Sequence, residues 1–252
     1  MLVDTHCHLT FPPLCDQLAA VLAHARQAGV ARVVVPAYDP PSWAQVSALA
    51  DAHPGVVFAA YGLHPWVADQ ALDLDGLATL LSRPGTVALG EVGLDGKIAG
   101  PSVAAQLPVL EAQLALAHDL GKPVILHCRG AFEELLAVLG RFTPRLRGVV
   151  HAWSRGPELA RRFLALGLHL GIGGAATRPN ARQLHATVTS VPLERLLLET
   201  DAPSIGLDGV DPIACEPHHV ADVARAVAAL REEPRDQVAA RTTAAAEALF
   251  GL

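Results

Sequence analysis

Six residues of this 252-residue chain, each of a type that binds divalent cations, fall where short apolar runs end. His6 and His8 are separated by one residue, and the period of two in an extended segment turns both imidazoles to the same side. Glu91 stands in Gly90-Glu91-Val92-Gly93-Leu94-Asp95, and His127 ends Pro123-Val124-Ile125-Leu126-His127. His151 follows Val149-Val150, and Asp201 follows Leu198-Glu199-Thr200. Neutral imidazoles with anionic oxygens suit borderline cations, and a carboxylate can bridge two ions roughly 3.5–4 Å apart. Such a pair lowers the pKa of bound water from 15.7 toward about 7 and polarises a substrate oxygen, so hydrolysis is the natural reaction class. A single His at a strand end is more often an ordinary hydrogen-bonded group. Five strand ends carrying His or acid together outweigh that reading.

These residues need a scaffold that brings strand ends to one place. Eight short apolar, mostly β-branched runs are visible: Leu2 to His6, Arg32 to Ala37, Val56 to Gly62, Thr86 to Glu91, Pro123 to His127, Gly148 to His151, Leu168 to Ile172 and Leu196 to Thr200. Between them lie Ala/Leu-rich stretches of helical period, such as Leu14 to Gly29, Ser42 to His53, Gln106 to Gly121, Phe132 to Gly140 and Pro157 to Gly167, several ending at glycine. Two more, Glu216 to Glu232 and Arg235 to Leu249, follow the last strand and can close an outer ring. The alternation predicts an α/β fold with a parallel sheet, either a (β/α)8 TIM barrel or an open doubly wound sheet. The barrel is favoured, because its strand ends and following loops converge on one mouth, where the polar residues fall.

A length near 250 residues is that of one such barrel, so residues 1–252 are expected to form a single domain. With 51% apolar and 17% charged residues the chain is not of a disordered class. The opening residues lack the pattern of a signal peptide and no long apolar run appears, so the expectation is a soluble, cytoplasmic protein. Cys7, Cys15, Cys128 and Cys215 show no paired spacing and are expected to be thiols. The net charge of −6 argues against a global field that attracts nucleic acid, so an anionic substrate must be attracted locally.

The ordered motifs carry a resemblance. Asp4-Thr5-His6-Cys7-His8, Gly62-Leu63-His64-Pro65, the Glu91 and His127 segments, Val150-His151-Ala152-Trp153-Ser154 and Leu198-Glu199-Thr200-Asp201-Ala202-Pro203 resemble the TatD family of metal-dependent hydrolases. Phe11-Pro12-Pro13 and Leu170-Gly171-Ile172-Gly173-Gly174 are similar to its YjjV branch. The resemblance spans nearly the whole chain and implies the barrel of the amidohydrolase superfamily with two divalent ions, Mg, Mn or Zn. One ion would take His6, His8 and Asp201, the other His127 and His151, with Glu91 bridging. Asp201 would orient or deprotonate the attacking water. The implied activity is that of a phosphoesterase or deoxyribonuclease, with single-stranded DNA as one candidate substrate. The alternative keeps the ions and hydrolyses a carboxyl ester or amide, of lactone or aminoacyl-tRNA type, because fold and metal set do not choose the substrate.

Around this set, His64 is expected to contact substrate phosphate or support the ligands. Trp66 and Trp153 either stack on a base or cap the core. Lys97, Arg129, Arg155 and Arg178 follow strands, with Arg129 the best candidate for a phosphate contact. Glu199 shares the face of Leu197, which suggests support for a ligand, and Asp95 is expected to organise the loop after Glu91. Glu216-Pro217-His218-His219 reads as a helix start, and His24, His53, His118, His169 and His185 are assigned no chemistry. Many family members carry an aromatic pair after the motif ending at Asp95, where this chain has Gly96-Lys97-Ile98-Ala99. That difference alters the walls of the mouth and not its ligands.

Overall fold

A computed structural model describes residues 1–252. The strands are β1 (Leu2–Asp4), β2 (Val30–Pro36), β3 (Val57–Tyr61), β4 (Thr86–Asp95), β5 (Val124–Arg129), β6 (Gly148–Val150), β7 (His169–Ile172) and β8 (Leu196–Leu198). Each pairs in parallel with the next in sequence. The ring is completed past the strand ends, where Cys7 bridges to Ala202 and the Thr5 and Asp201 amides donate to Leu198 O and His6 O at 3.0 and 2.8 Å. The result is the expected (β/α)8 barrel.

Nine helices accompany the strands: α1 (Leu18–Gln27), α2 (Pro40–Ala52), α3 (Leu74–Leu81), α4 (Val103–Leu120), α5 (Phe132–Leu139), α6 (Pro157–Ala165), α7 (Arg182–Ser190), α8 (Val220–Arg231) and α9 (Arg235–Phe250). Asp39, Asp73 and Ser102 begin α2, α3 and α4 by accepting from free backbone amides of the first turn. None of the helices is long and apolar enough to cross a membrane.

Strand alternation divides the apolar residues into two clusters. Val33, Val35, Leu89, Val124, Leu126 and their neighbours pack outward against the helices. Val34, Ala60, Ala88, Ile125, Val149 and Leu197, from the alternate positions, fill the barrel interior. The last turns of α9, through Leu249 and Phe250, join that interior cluster. Thus α8 sits beside β1 and β8 in the outer ring, while α9 also covers the amino-terminal end of the barrel. With that end filled by hydrocarbon, the carboxyl end is left as the open mouth.

Candidate metal centre

All six sequence-predicted ligands meet at the carboxyl end, although not all at strand ends. β1, β6 and β8 stop at Asp4, Val150 and Leu198, so His6, His8, His151 and Asp201 stand in the first loop residues. β4 and β5 instead run past Glu91 and His127. Part of the reason is local backbone: Asp201 and Ala152, the residue after His151, have φ of 53° and 48°, a left-handed conformation that no strand can continue. Glu91 lies where the pairing of β4 with β5 shifts register.

The donor atoms form two groups around one carboxylate. Glu91 Oε2 is 3.2 Å from His6 Nε2 and 3.6 Å from His8 Nε2. His6 Nε2 and His8 Nε2 are 3.2 Å apart, and Asp201 Oδ1 is 3.7 and 3.3 Å from them. Glu91 Oε1 is 2.8 Å from His151 Nε2 and 3.0 Å from His127 Nδ1, which are 3.3 Å from each other. Donors held at about 2.1 Å in a tetrahedron are about 3.4 Å apart, so these spacings suit a common cation in each group. Asp201 Oδ1 is buried without a hydrogen-bond partner, as expected of an oxygen aimed at an ion and not at a donor.

The titration behaviour points the same way. Burial alone would raise the Glu91 carboxyl, yet His151, His64 and His6 hold it well below the carboxylate range. Burial would lower His151, but Glu91 and Asp201 push it up to about 10. His8 and His127 are also raised against burial, by Asp201 and by Asp95 with Glu91 respectively. His6, dominated by burial, falls to about 4. A pocket that concentrates anionic oxygen and raises three of its imidazoles calls for positive charge, which protons or cations can supply.

The surrounding shell fixes these side chains. His127 Nε2 meets Asp95 Oδ2 at 3.2 Å, leaving Nδ1 for the centre. Asp95 also accepts the Lys97 amide at 2.8 Å, the loop-organising role expected of it. Glu199 is fully buried; its Oε1 accepts the Ala152 amide at 2.5 Å and lies 3.9 Å from His151 Nδ1. It shares the inward face of Leu197, and burial raises its carboxyl to about 8. Gly171 makes room, because a Cβ there would stand 2.2 Å from Glu199 Oε2.

His64 Nδ1 accepts the Trp66 amide at 3.2 Å, which places the ring hydrogen on Nε2, 3.2 Å from Glu91 Oε1. This ring is therefore a donor toward the centre and not a lone-pair ligand. Arg129, Arg155 and Arg178 line a cavity of about 790 Å³ that contains Glu91 and Asp201, whereas Lys97 lies along Gly130 outside its lining. The two tryptophans part company. Trp66 is 53% exposed at the mouth, whereas Trp153 is buried against Phe132 and Phe163 as a cap on the core. Cys7 is buried and Cys128 partly so; burial raises both thiols, Cys128 to about 12.

Three supporting residues escaped the sequence reading. Asp4, fully buried, accepts from the His6 amide and from the Thr200 amide and hydroxyl at 3.3, 3.0 and 2.6 Å, tying the end of β1 to the end of β8. Burial raises its carboxyl to about 7. Gln106 and Gln113, seven apart on α4, each clasp one backbone amide and carbonyl: those of Asp95, and those of Leu63 beside His64. Two glutamines at helical spacing on an otherwise apolar face were the available signal.

Comparison with known proteins agrees with this architecture. Residues 3–251 match the family described as TatD related DNase. The chain is 39% identical over 241 residues to the uncharacterized metal-dependent hydrolase YjjV of Escherichia coli K12, covering 94% of this chain and 93% of that protein. It is 38% identical over 209 residues to the 3'-5' ssDNA/RNA exonuclease TatD of Edwardsiella piscicida, covering 80% and 79% of the two chains. The crystal structure of Escherichia coli YjjV superposes with a TM-score of 0.94 at 38% identity, covering 100% of this chain and 98% of that one. A family match of this extent, on a barrel whose mouth gathers the expected donors, means that the chain belongs to the TatD family of metal-dependent hydrolases.

Proposed function

We propose that this hydrolase is a two-metal phosphodiesterase acting on single-stranded DNA. The observation that carries the reading is the division of Glu91: one carboxylate oxygen faces His6 and His8, the other His127 and His151. One divalent ion is assigned to His6, His8, Asp201 and Glu91, and a second to Glu91, His127 and His151; the imidazoles suit Zn, the carboxylates suit Mn, and Mg, which favours oxygen, would need water to complete its shell. When bound, the pair supplies Lewis acidity, lowering the pKa of water toward about 7 and polarising a phosphoryl oxygen.

The chain's own groups do the rest. Asp201 orients the attacking water and accepts its proton; burial would raise this carboxyl, but His8, His6 and His151 lower it and keep it ionised. Glu91 stays anionic and positions both groups of imidazoles. His64 offers its Nε2 hydrogen to a non-bridging phosphoryl oxygen. Arg129 pairs with a phosphate in the cavity, a local attraction that the overall charge of −6 does not provide. The exposed Trp66 ring gives a face on which a base can stack.

The test is release of mononucleotides from end-labelled single-stranded DNA with Mg or Mn. Release well above that of a His127→Ala variant is expected. No difference between the two proteins would sink the reading, and a carboxyl ester or amide turned over far faster than any phosphodiester would replace it with a deacylase.

A further inference from the structure

A second set of donor atoms meets where α1 packs against the turn that enters α8. His24 Nδ1 lies 2.8 Å from Glu216 Oε2, and His218 Nδ1 lies 3.0 Å from the same oxygen. One ring nitrogen from each histidine and a carboxylate oxygen of Glu216 fall within 4.8 Å of one another. His24 and Glu216 are 192 residues apart, so tertiary packing and not one helical face creates the cluster. Side-chain exposures of 50%, 23% and 32% for His24, Glu216 and His218 leave one side open to solvent, from which an ion can enter and water can complete its shell. His219 is already engaged, because its Nδ1 accepts the Glu216 amide at 3.0 Å and pins the turn. None of these residues lines the cavity that contains Glu91 and Asp201.

We propose that His24, Glu216 and His218 form a separate site for a transition-metal ion of the zinc, nickel or copper class. Two imidazole nitrogens and one carboxylate oxygen are the donors those ions prefer, whereas magnesium and calcium favour shells made mostly of oxygen. Without an ion, Glu216 Oε2 can accept from both rings only when each carries its hydrogen on Nδ1. Binding moves that hydrogen to Nε2 of the same ring, which frees two Nδ1 lone pairs without loss of a proton from a neutral imidazole. The carboxylate supplies the compensating charge. An ion held there ties α1 to the turn entering α8, two elements that both pack against β2. The site stands independently of the function proposed above.

Zinc binding to the full chain, counted by equilibrium dialysis with metal analysis, tests this directly. Wild type should retain one more zinc per chain than either His24→Ala or His218→Ala, while all three proteins keep the same far-UV circular dichroism and the same Mn-supported hydrolysis. Equal zinc counts in the three folded proteins would overturn the proposal. Replacing zinc by magnesium should abolish the difference; a magnesium equivalent lost in both variants would overturn the assignment to transition metals. A zinc-soaked crystal of the wild type gives a check that depends on no variant. Anomalous density between His24 Nδ1 and His218 Nδ1 is expected, and zinc density confined to the barrel mouth refutes the site.

Discussion

His127 faces Asp95 with one ring nitrogen and Glu91 with the other: Nε2 lies 3.2 Å from Asp95 Oδ2, and Nδ1 lies 3.0 Å from Glu91 Oε1. Trp66 Nε1 donates to that same Asp95 oxygen at 3.0 Å, so the exposed indole at the mouth and the buried imidazole share one acceptor. Burial would raise the Asp95 carboxyl, but His127 and Trp66 hold it well below its usual range. An anion so placed fixes the His127 tautomer and strengthens Nδ1 as a donor.

Asp95→Asn should therefore weaken activity or metal affinity by about 10–100-fold without unfolding the barrel. Activity measured against metal concentration separates the two effects. An unchanged dependence on metal, in a variant with wild-type circular dichroism, would show that His127 needs no anionic partner.

Glu91→Gln removes charge from between both groups of imidazoles. The expected loss of activity exceeds the ~100-fold upper range for supporting residues, because in the proposed two-ion centre Glu91 would serve both ions. A second readout needs no ion. Burial depresses His151 and Glu91 raises it to about 10, so in metal-free protein the variant's His151 should titrate at lower pH than wild type. Imidazole NMR would detect the shift, and an unmoved resonance would mean that another group sets the His151 charge.

Much of this arrangement was legible in the sequence because it depends on period. Each of the eight apolar runs became a strand, and the positions of His127 and His151 follow from counting by two from Ile125 and Val149, which point into the barrel. Strand ends were less legible: β1 and β8 stop at Asp4 and Leu198, and the left-handed backbone at Asp201 depends on the fold and not on a local pattern. Helices α3 and α7 did not stand out: α3 carries Gly76, and α7 carries Thr187, Val188 and Thr189, residues of poor intrinsic helical propensity held by tertiary packing. Asp4, Gln106 and Gln113 matter through partners 196, 11 and 50 residues away, and no local pattern encodes those distances.

Gly171 is one position where the interior has no spare room. Its absent Cβ would stand 2.2 Å from Glu199 Oε2, and the carboxylate is held by the Ala152 amide. Gly171→Ala should destabilise by about 1–3 kcal/mol through overpacking. Combining it with Glu199→Ala, which removes the obstructing group, should recover part of that loss, with a coupling of about 0.5–3 kcal/mol between contacting sites. Thermal or denaturant unfolding of the four proteins measures the coupling. Strictly additive losses would show that the two residues do not compete for the same space.

Glu199 also gives a pH signature in the metal-free protein. Burial raises its carboxyl from 4.5 to about 8, so between those values the folded chain holds a proton that the unfolded chain has released. Stability from this group is fully present below pH 4.5 and is lost as pH rises toward about 8. The whole shift corresponds to at most about 5 kcal/mol at 1.36 kcal/mol per pH unit. Glu199→Gln keeps an acceptor for the Ala152 amide and removes the titration. The difference in unfolding free energy between wild type and this variant, measured in chelator, should therefore shift against wild type as pH is raised. With ions restored the slope should flatten, because nearby cations stabilise the ionised carboxylate. A difference independent of pH in chelator would mean that Glu199 is ionised in the folded chain throughout, and that the His151 side of the centre carries more positive charge than its protein groups supply.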